Sequence, residues 1–230
     1  MRKLGSTLIA GAFLFGLIGN AYAAKPVTVF EDAANDAGNT EQGLALPPAT
    51  LAGLDLLSGT IVKSGADLEF TVTNAAALPQ AGSAPEAFRL LWHVNSGGKE
   101  YRFTVKSIDV GKPDVVAQEG TDRVGQVYQG LARLEECSEE ALPAVLTLVN
   151  CKAVEYFQAT FDATAATITW KVPLASLGAK TGTVIGGGTT GAASTQCQIC
   201  WVPHYAERSL TPSTVIDNAT MATAYKVPKK

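Results

Sequence analysis

Two histidines, two methionines and four cysteines are all that this chain of 230 residues offers of the side chains that most often shuttle protons, hold haem or bind metals. Past Met1 the one methionine is Met221, so haem held between a Met and a His is thinly supplied. There is no G-x-S-x-G nucleophile elbow. There is no C-x-x-C-H haem attachment either, because Trp201 follows Cys200. Basic residues form no cluster, so nucleic acid is not an expected partner, since that binding rests on neutralising phosphates. After the N-terminus no run is long and apolar enough for a membrane helix. Paired carboxylates for glycoside cleavage leave no mark in sequence, and no enzymatic activity is expected.

The N-terminus sets the compartment. Arg2 and Lys3 precede the apolar run TLIAGAFLFGLI at 7–18, which is too short to span a bilayer well. Ala21-Tyr22-Ala23 then forms a small-x-small site. This pattern predicts a secretory signal peptide over 1–23, cleaved after Ala23, and a secreted or periplasmic protein. No Cys lies at the cleavage point to take a lipid. Cleavage leaves residues 24–230, which suits one large β domain or two small ones, and no linker is long enough to divide it. Without Arg2 and Lys3 the chain has 16 basic residues against 21 acidic ones, a net charge of −5.

Most of the mature chain alternates with period two, the signature of strands with one buried face. In LEFTVTN, Leu68, Phe70 and Val72 share a face, and LLSGTIVK precedes it through the turn Ser64–Asp67. FRLLWHVN sets Phe88, Leu90, Trp92 and Val94 against Arg89, Leu91 and His93. The turn Ser96–Lys99 then leads into EYRFTVKSIDV. VEYFQATFD and ATITWKVPL form another pair around DATAA, and STVIDNATMATAYKVP reads as extended. Trp92 and Trp170 are expected in the core and His93 at the surface. Such hairpin spacing predicts an all-β antiparallel sandwich. One insert, about 135–152, breaks the rhythm. Ser138, Glu139 and Glu140 look like a helix N-terminus, and Leu142, Val145, Leu146 and Val149 give a helical stripe. A short helix is expected there.

An exported chain meets an oxidising compartment, where thiols pair. Cys197-Gln198-Ile199-Cys200 lacks the setting of a thioredoxin-like site, since Pro203 breaks any helix that would follow. Zinc would want four thiolates, but Cys137 and Cys151 lack a knuckle spacing. Two disulfides are therefore expected. Cys137–Cys151 would close the insert and Cys197–Cys200 would form a tight local loop, with crossed pairing as the alternative. The longer loop would contribute about 3 kcal/mol in the chain-entropy model.

Several segments in order resemble secreted β-sandwich domains related to family 9 carbohydrate-binding modules and DOMON-type domains. They are the acidic loop EDAANDAGN, the hairpin LDLLSGTIVKSGADLEFTVTNAAALP, the strand ITWKVPLASLG and the tail DNATMATAY. The resemblance spans roughly Phe30 to Val227. It implies one jelly-roll-like domain without catalysis of its own. Members bind sugars, bind haem or metals, or decorate larger secreted enzymes.

Two sites follow from the residues. Asp32, Asn35 and Asp36 offer hard oxygens, a set for calcium or simply a solvated acidic loop. Trp201, His204, Tyr205 and Arg208 form an aromatic and polar group of the kind that stacks on sugar rings. The simpler expectation tucks Trp201 into the sandwich edge over the Cys197–Cys200 disulfide. Taken together, the expected function is a non-catalytic binding or accessory module. Carbohydrate is the leading ligand. A structural or interaction domain that recognises a cell-envelope component is the first alternative, and a metal- or haem-binding domain the second.

Overall fold

The computed structural model describes residues 24–38, 45–78, 88–106, 116–118, 121–123, 131–142, 146–188, 197–203 and 214–229. Among these, no helix is long and apolar enough to cross a membrane. The chain opens with β1 (Val27–Glu31), a six-residue helix α1 (Pro48–Gly53), β2 (Leu56–Ser64) and β3 (Asp67–Asn74). Next come β4 (Phe88–Ser96), β5 (Lys99–Lys106), and the short pair β6 (Val116–Gln118) and β7 (Thr121–Arg123). The long strands β8 (Leu131–Leu142) and β9 (Leu146–Gln158) lead into β10 (Thr160–Asp162) and β11 (Thr167–Pro173). The chain ends with a 3-10 turn (Leu174–Leu177), β12 (Val184–Gly187), β13 (Ile199–Pro203), β14 (Asp217–Ala219) and β15 (Tyr225–Lys226).

These strands form an antiparallel sandwich, as the alternation predicted. One sheet runs β1-β2-β3-β11-β10; the other runs β14-β13-β4-β5-β8-β9, with β12 and β15 joined to it at β4. The hairpins expected from turn chemistry pair in register. Ser64 lies opposite Asp67 across Gly65, at φ +66°, and Ser96 lies opposite Lys99 across Gly97 and Gly98, at +61° and +83°. Glycine reaches these angles at no steric cost.

The sheets differ in how they meet solvent. In the first, β3 alternates buried and half-buried residues along its whole length, so its outer face meets water. In the second, β4 is buried at every position but Asn95. Both faces of β4 are shielded. Between the sheets lies an aromatic junction. Trp92 meets Trp170 edge to face at 5.8 Å, Phe70 stacks on Trp170 at 5.7 Å, and Phe103 sits 4.6 Å from Phe70. Trp92 and Trp170 are core residues, as their strand faces indicated.

The described residues of the insert at about 135–152 are not helical. They belong to the β8–β9 hairpin, and Cys137 lies directly opposite Cys151. Their Cα atoms are 4.1 Å apart and the two are disulfide-bonded. A helix over Ser138–Val149 would rise about 18 Å, which competes with closing its ends on each other. The β-branched Thr147 and Val149 favour the strand. The helix that does form, α1, starts at Pro48, where a missing N–H costs nothing. The second disulfide joins Cys197 to Cys200, and no described cysteine is free. Both pairings are the expected ones, and they fit an oxidising extracellular environment.

Phe30 lies opposite Gly59 in the β1–β2 ladder, and a Cβ on Gly59 would overlap its ring. Gly59→Ala is therefore expected to destabilise the fold by about 1–3 kcal/mol. Urea denaturation should show it as a lower midpoint with an unchanged slope.

Candidate functional site

The acidic loop follows β1 and is tied down at both ends. The Asp32 N–H donates to the Leu57 carbonyl at 2.9 Å, and the Gly38 N–H to Ile216 at 2.8 Å. Asn35 takes φ +68°, a left-handed angle that Asn tolerates better than most residues. That turn points its N–H at Asp55 Oδ2, 2.7 Å away. Asp55 stands just before β2 and is 1% exposed. Asp217 opens β14. Its Oδ2 accepts the Leu56 N–H and its Oδ1 the Asn218 N–H. Asp217 thus bridges the end of one sheet to the start of a strand in the other.

This scaffold brings carboxylates together. One oxygen each from Asp32, Asp36 and Asp217 lies within 4.8 Å of the others. Two oxygens bound to one calcium at roughly 2.4 Å stand at most roughly 4.8 Å apart, and each pair in this group falls within that limit. Asp32 Oδ2 and Asp55 Oδ1 are shielded from water and accept no hydrogen bond. Burial pushes the Asp217 carboxyl up to about 7 against the pull of the Leu56 N–H, and Asp36 and Asp32 add to the rise. Asp32 is raised too, by burial first and then by Asp36 and Asp55, against the Ala33 N–H. A cation here would relieve repulsion that the protein alone leaves in place.

Of the residues singled out by sequence, Asp32 and Asp36 meet. Asn35 contributes its main chain and its turn. Asp217 and Asp55 were not anticipated. Leu56 and Asp217 are 161 positions apart, and no spacing rule connects such residues.

Trp201 is a correction to the sugar-stacking group. It lies on β13, is 0% exposed and belongs to the inter-sheet core. Its Nε1–H donates to Asn74 Oδ1 on β3 at 3.0 Å. No face of the indole is open to a ligand. Nor does it cover the disulfide. Cys197 and Cys200 pack with Leu91, Val202 and Val215 on the opposite face of β13. His204, Tyr205 and Arg208 lie outside the described residues.

His93 also departs from expectation. It is 2% exposed, not at the surface. It heads a cross-strand row in which His93 pairs with Arg102, Arg102 with Glu135 and Glu135 with Ala153. Glu135 accepts from Arg102 Nε at 2.9 Å, Thr104 Oγ1 at 3.0 Å and Arg133 Nε at 3.0 Å. Both His93 ring nitrogens are buried without a hydrogen-bond partner. The strand alternation assigned this face to solvent, but β4 is covered on both sides.

In fold and site the chain is an all-β sandwich with three convergent carboxylates at a seam between its sheets. Compared with protein-family models, curated proteins and solved structures, it finds no match.

Burial, then the Arg102 charge, drives the His93 imidazole down to about 3, against the pull of Glu135. The unfolded chain, with histidine near 6.5, takes up a proton first as pH falls. Stability is therefore complete above about 6.5 and is lost as pH drops toward 3, by about 1.4 kcal/mol per unit from this group. Asp217, raised in the fold, acts in the opposite sense between about 7 and 3.8. The contribution of His93 is isolated by comparing urea unfolding of the wild type and His93→Leu from pH 6.5 to 4.5. The variant should lose that slope.

Proposed function

We propose that this chain is an exported, non-catalytic binding or accessory module in which calcium holds the loop after β1 against β2 and β14. The observation that carries this reading is the carboxylate group Asp32, Asp36 and Asp217, whose oxygens lie within 4.8 Å of one another. The buried, unbonded Asp55 Oδ1 and Asp32 Oδ2 support it, since buried oxygens without a partner are costly and unusual. Hard oxygens from carboxylates suit calcium, whose shell main-chain carbonyls and water complete. The leader at 1–23 and the two disulfides support export. His93, with its imidazole near 3, is a poor proton carrier at neutral pH.

Carbohydrate is the ligand class we propose, on the resemblance to sugar-binding sandwiches. With Trp201 in the core, an aromatic platform for a sugar would fall to residues such as Tyr205. A glycan array run in calcium and again in chelator tests this. Specific binding lost in Tyr205→Ala supports it, and no binding in either condition removes carbohydrate as the ligand.

Thermal melts test the ion directly. Calcium at about 100 times its dissociation constant should stabilise the fold by about 2.7 kcal/mol, seen as a higher melting temperature than in chelator. Asp36→Asn is expected to fold and to lose most of that calcium increment. Equal melting temperatures with calcium and with chelator would sink the calcium reading.

A further inference from the structure

The β8–β9 hairpin outruns the sheet it belongs to. β5 pairs with β8 from Val105 opposite Ala132 to Glu100 opposite Cys137. Beyond that point Ser138–Leu142 pairs with Leu146–Asn150, and the Cys137–Cys151 disulfide clamps the base of the projecting ribbon. β9 is the last strand of its sheet, and among the described residues no strand pairs with its outer edge. An open edge is a template for another strand. Lys152 and Ala153 are exposed on it, and so are Val154 at 47% and Tyr156 at 40%.

A bulge sets the chemistry of this edge. Glu155 pairs with Leu134 and Ala153 with Glu135, which leaves Val154 unpaired. Lys152 pairs with Glu136, two positions from Leu134. Leu134 and Glu136 share a face of β8, so Lys152 and Glu155 share a face of β9. Without the extra residue they would point to opposite faces.

We propose that β9 is a self-pairing edge and that its occupant is a second copy of this chain, docked antiparallel about a two-fold axis between Ala153 and Val154. In this register Lys152 of each copy lies opposite Glu155 of the other, on one face. Asn150 lies opposite Phe157, and Cys151 opposite Tyr156. The shared edge runs for about 27 Å at roughly 3.4 Å per residue. A lysine alone on an edge repels an incoming strand. With Glu155 on the same face it makes two complementary pairs instead. The antiparallel arrangement joins the two second sheets edge to edge. The contact is isologous, and assembly stops at two.

Sedimentation velocity on the mature, oxidised chain across the micromolar range tests this. The expected result is a reversible monomer–dimer equilibrium. Lys152→Glu and Glu155→Lys should each weaken the dimer by about tenfold or more, because like charges then face each other. The double reversal K152E/E155K should restore it. Val154→Asp, at an exposed position, is an independent variant expected to be monomeric. A wild type that stays monomeric overturns the proposal. So does a dimer that survives both single reversals, or one that the double reversal fails to restore.

Discussion

Trp92 and Trp170 hold the two sheets at a fixed separation, and much of the remaining structure follows from that contact. Each indole comes from the middle of a strand, and the rings meet at 84° with centroids 5.8 Å apart. Phe30 and Phe70 bring their own rings edge-on to Trp92 at 80° and 86°. Such edge-to-face pairs contribute about 0.5–1.5 kcal/mol each beyond the area they bury. Several of them converge on one residue, in a fold whose net stability is on the order of 5–15 kcal/mol. The Gly59 backbone must stay bare because Phe30 occupies the space above it. Trp201 adds a second strut, since its Nε1–H reaches Asn74 on the facing sheet.

With the inner faces committed to this junction, polar residues on β4, β5 and β8 fall on the outer face of the second sheet. That face is itself buried at β4. Arg102 and Glu135 have side chains 9% and 7% exposed, so the pair has given up most of its hydration. A buried ion pair of this kind adds little net stability over an apolar isostere, but losing one partner costs about 3–5 kcal/mol. The geometry satisfies Glu135 three times over, and the arginines hold its carboxyl below its usual range although burial alone would raise it. Glu135 is thus stabilising at neutral pH and, like His93, loses that contribution as the medium becomes acid. His93 sits where β4 changes partners. Its N–H donates to the Gln198 carbonyl and its carbonyl accepts from Gly188. Its main chain is fully used while its ring finds no bond, a conflict between ladder and side chain settled in favour of the ladder.

The strands, the two hairpin turns, the core tryptophans on β4 and β11 and the disulfide partners were legible because each rests on a local signal. Period-two alternation, glycine at a turn, and two closely spaced cysteine pairs all lie within one or two elements. The hairpin read as a helix failed for a local reason as well. Leu142, Val145, Leu146 and Val149 fit a helical stripe, but the expected Cys137–Cys151 closure favours a hairpin over a helix, and the stripe takes no account of it. His93 at the surface and Trp201 as a sugar platform failed for a global reason, although the simpler expectation of a tucked-in Trp201 was right about its burial. Alternation says which residues share a face. It does not say that both faces of a strand are covered, or that a strand beginning at Ile199 turns Trp201 inward and Cys200 outward. Asp217 lay beyond reach because its partners come from the other end of the chain. Asp55 carried a weak signal, standing directly before the first strand of a hairpin.

The carboxylates and the open edge lie on opposite flanks of the sandwich. β1 and β14 close one side, where Asp32, Asp36 and Asp217 meet; β9 and β10 close the other, where the chain crosses between sheets at Ala159. An ion at the first flank would act on the seam between sheets. There the bond from the Leu56 N–H to Asp217 already ties β2 to β14, while the repulsion among Asp32, Asp36 and Asp217 works to part them. A divalent charge reverses the sign of that repulsion without moving the aromatic junction, so its effect is to stiffen one end of a fold that the core already specifies. Pairing through β9 would leave that end facing outward on both copies.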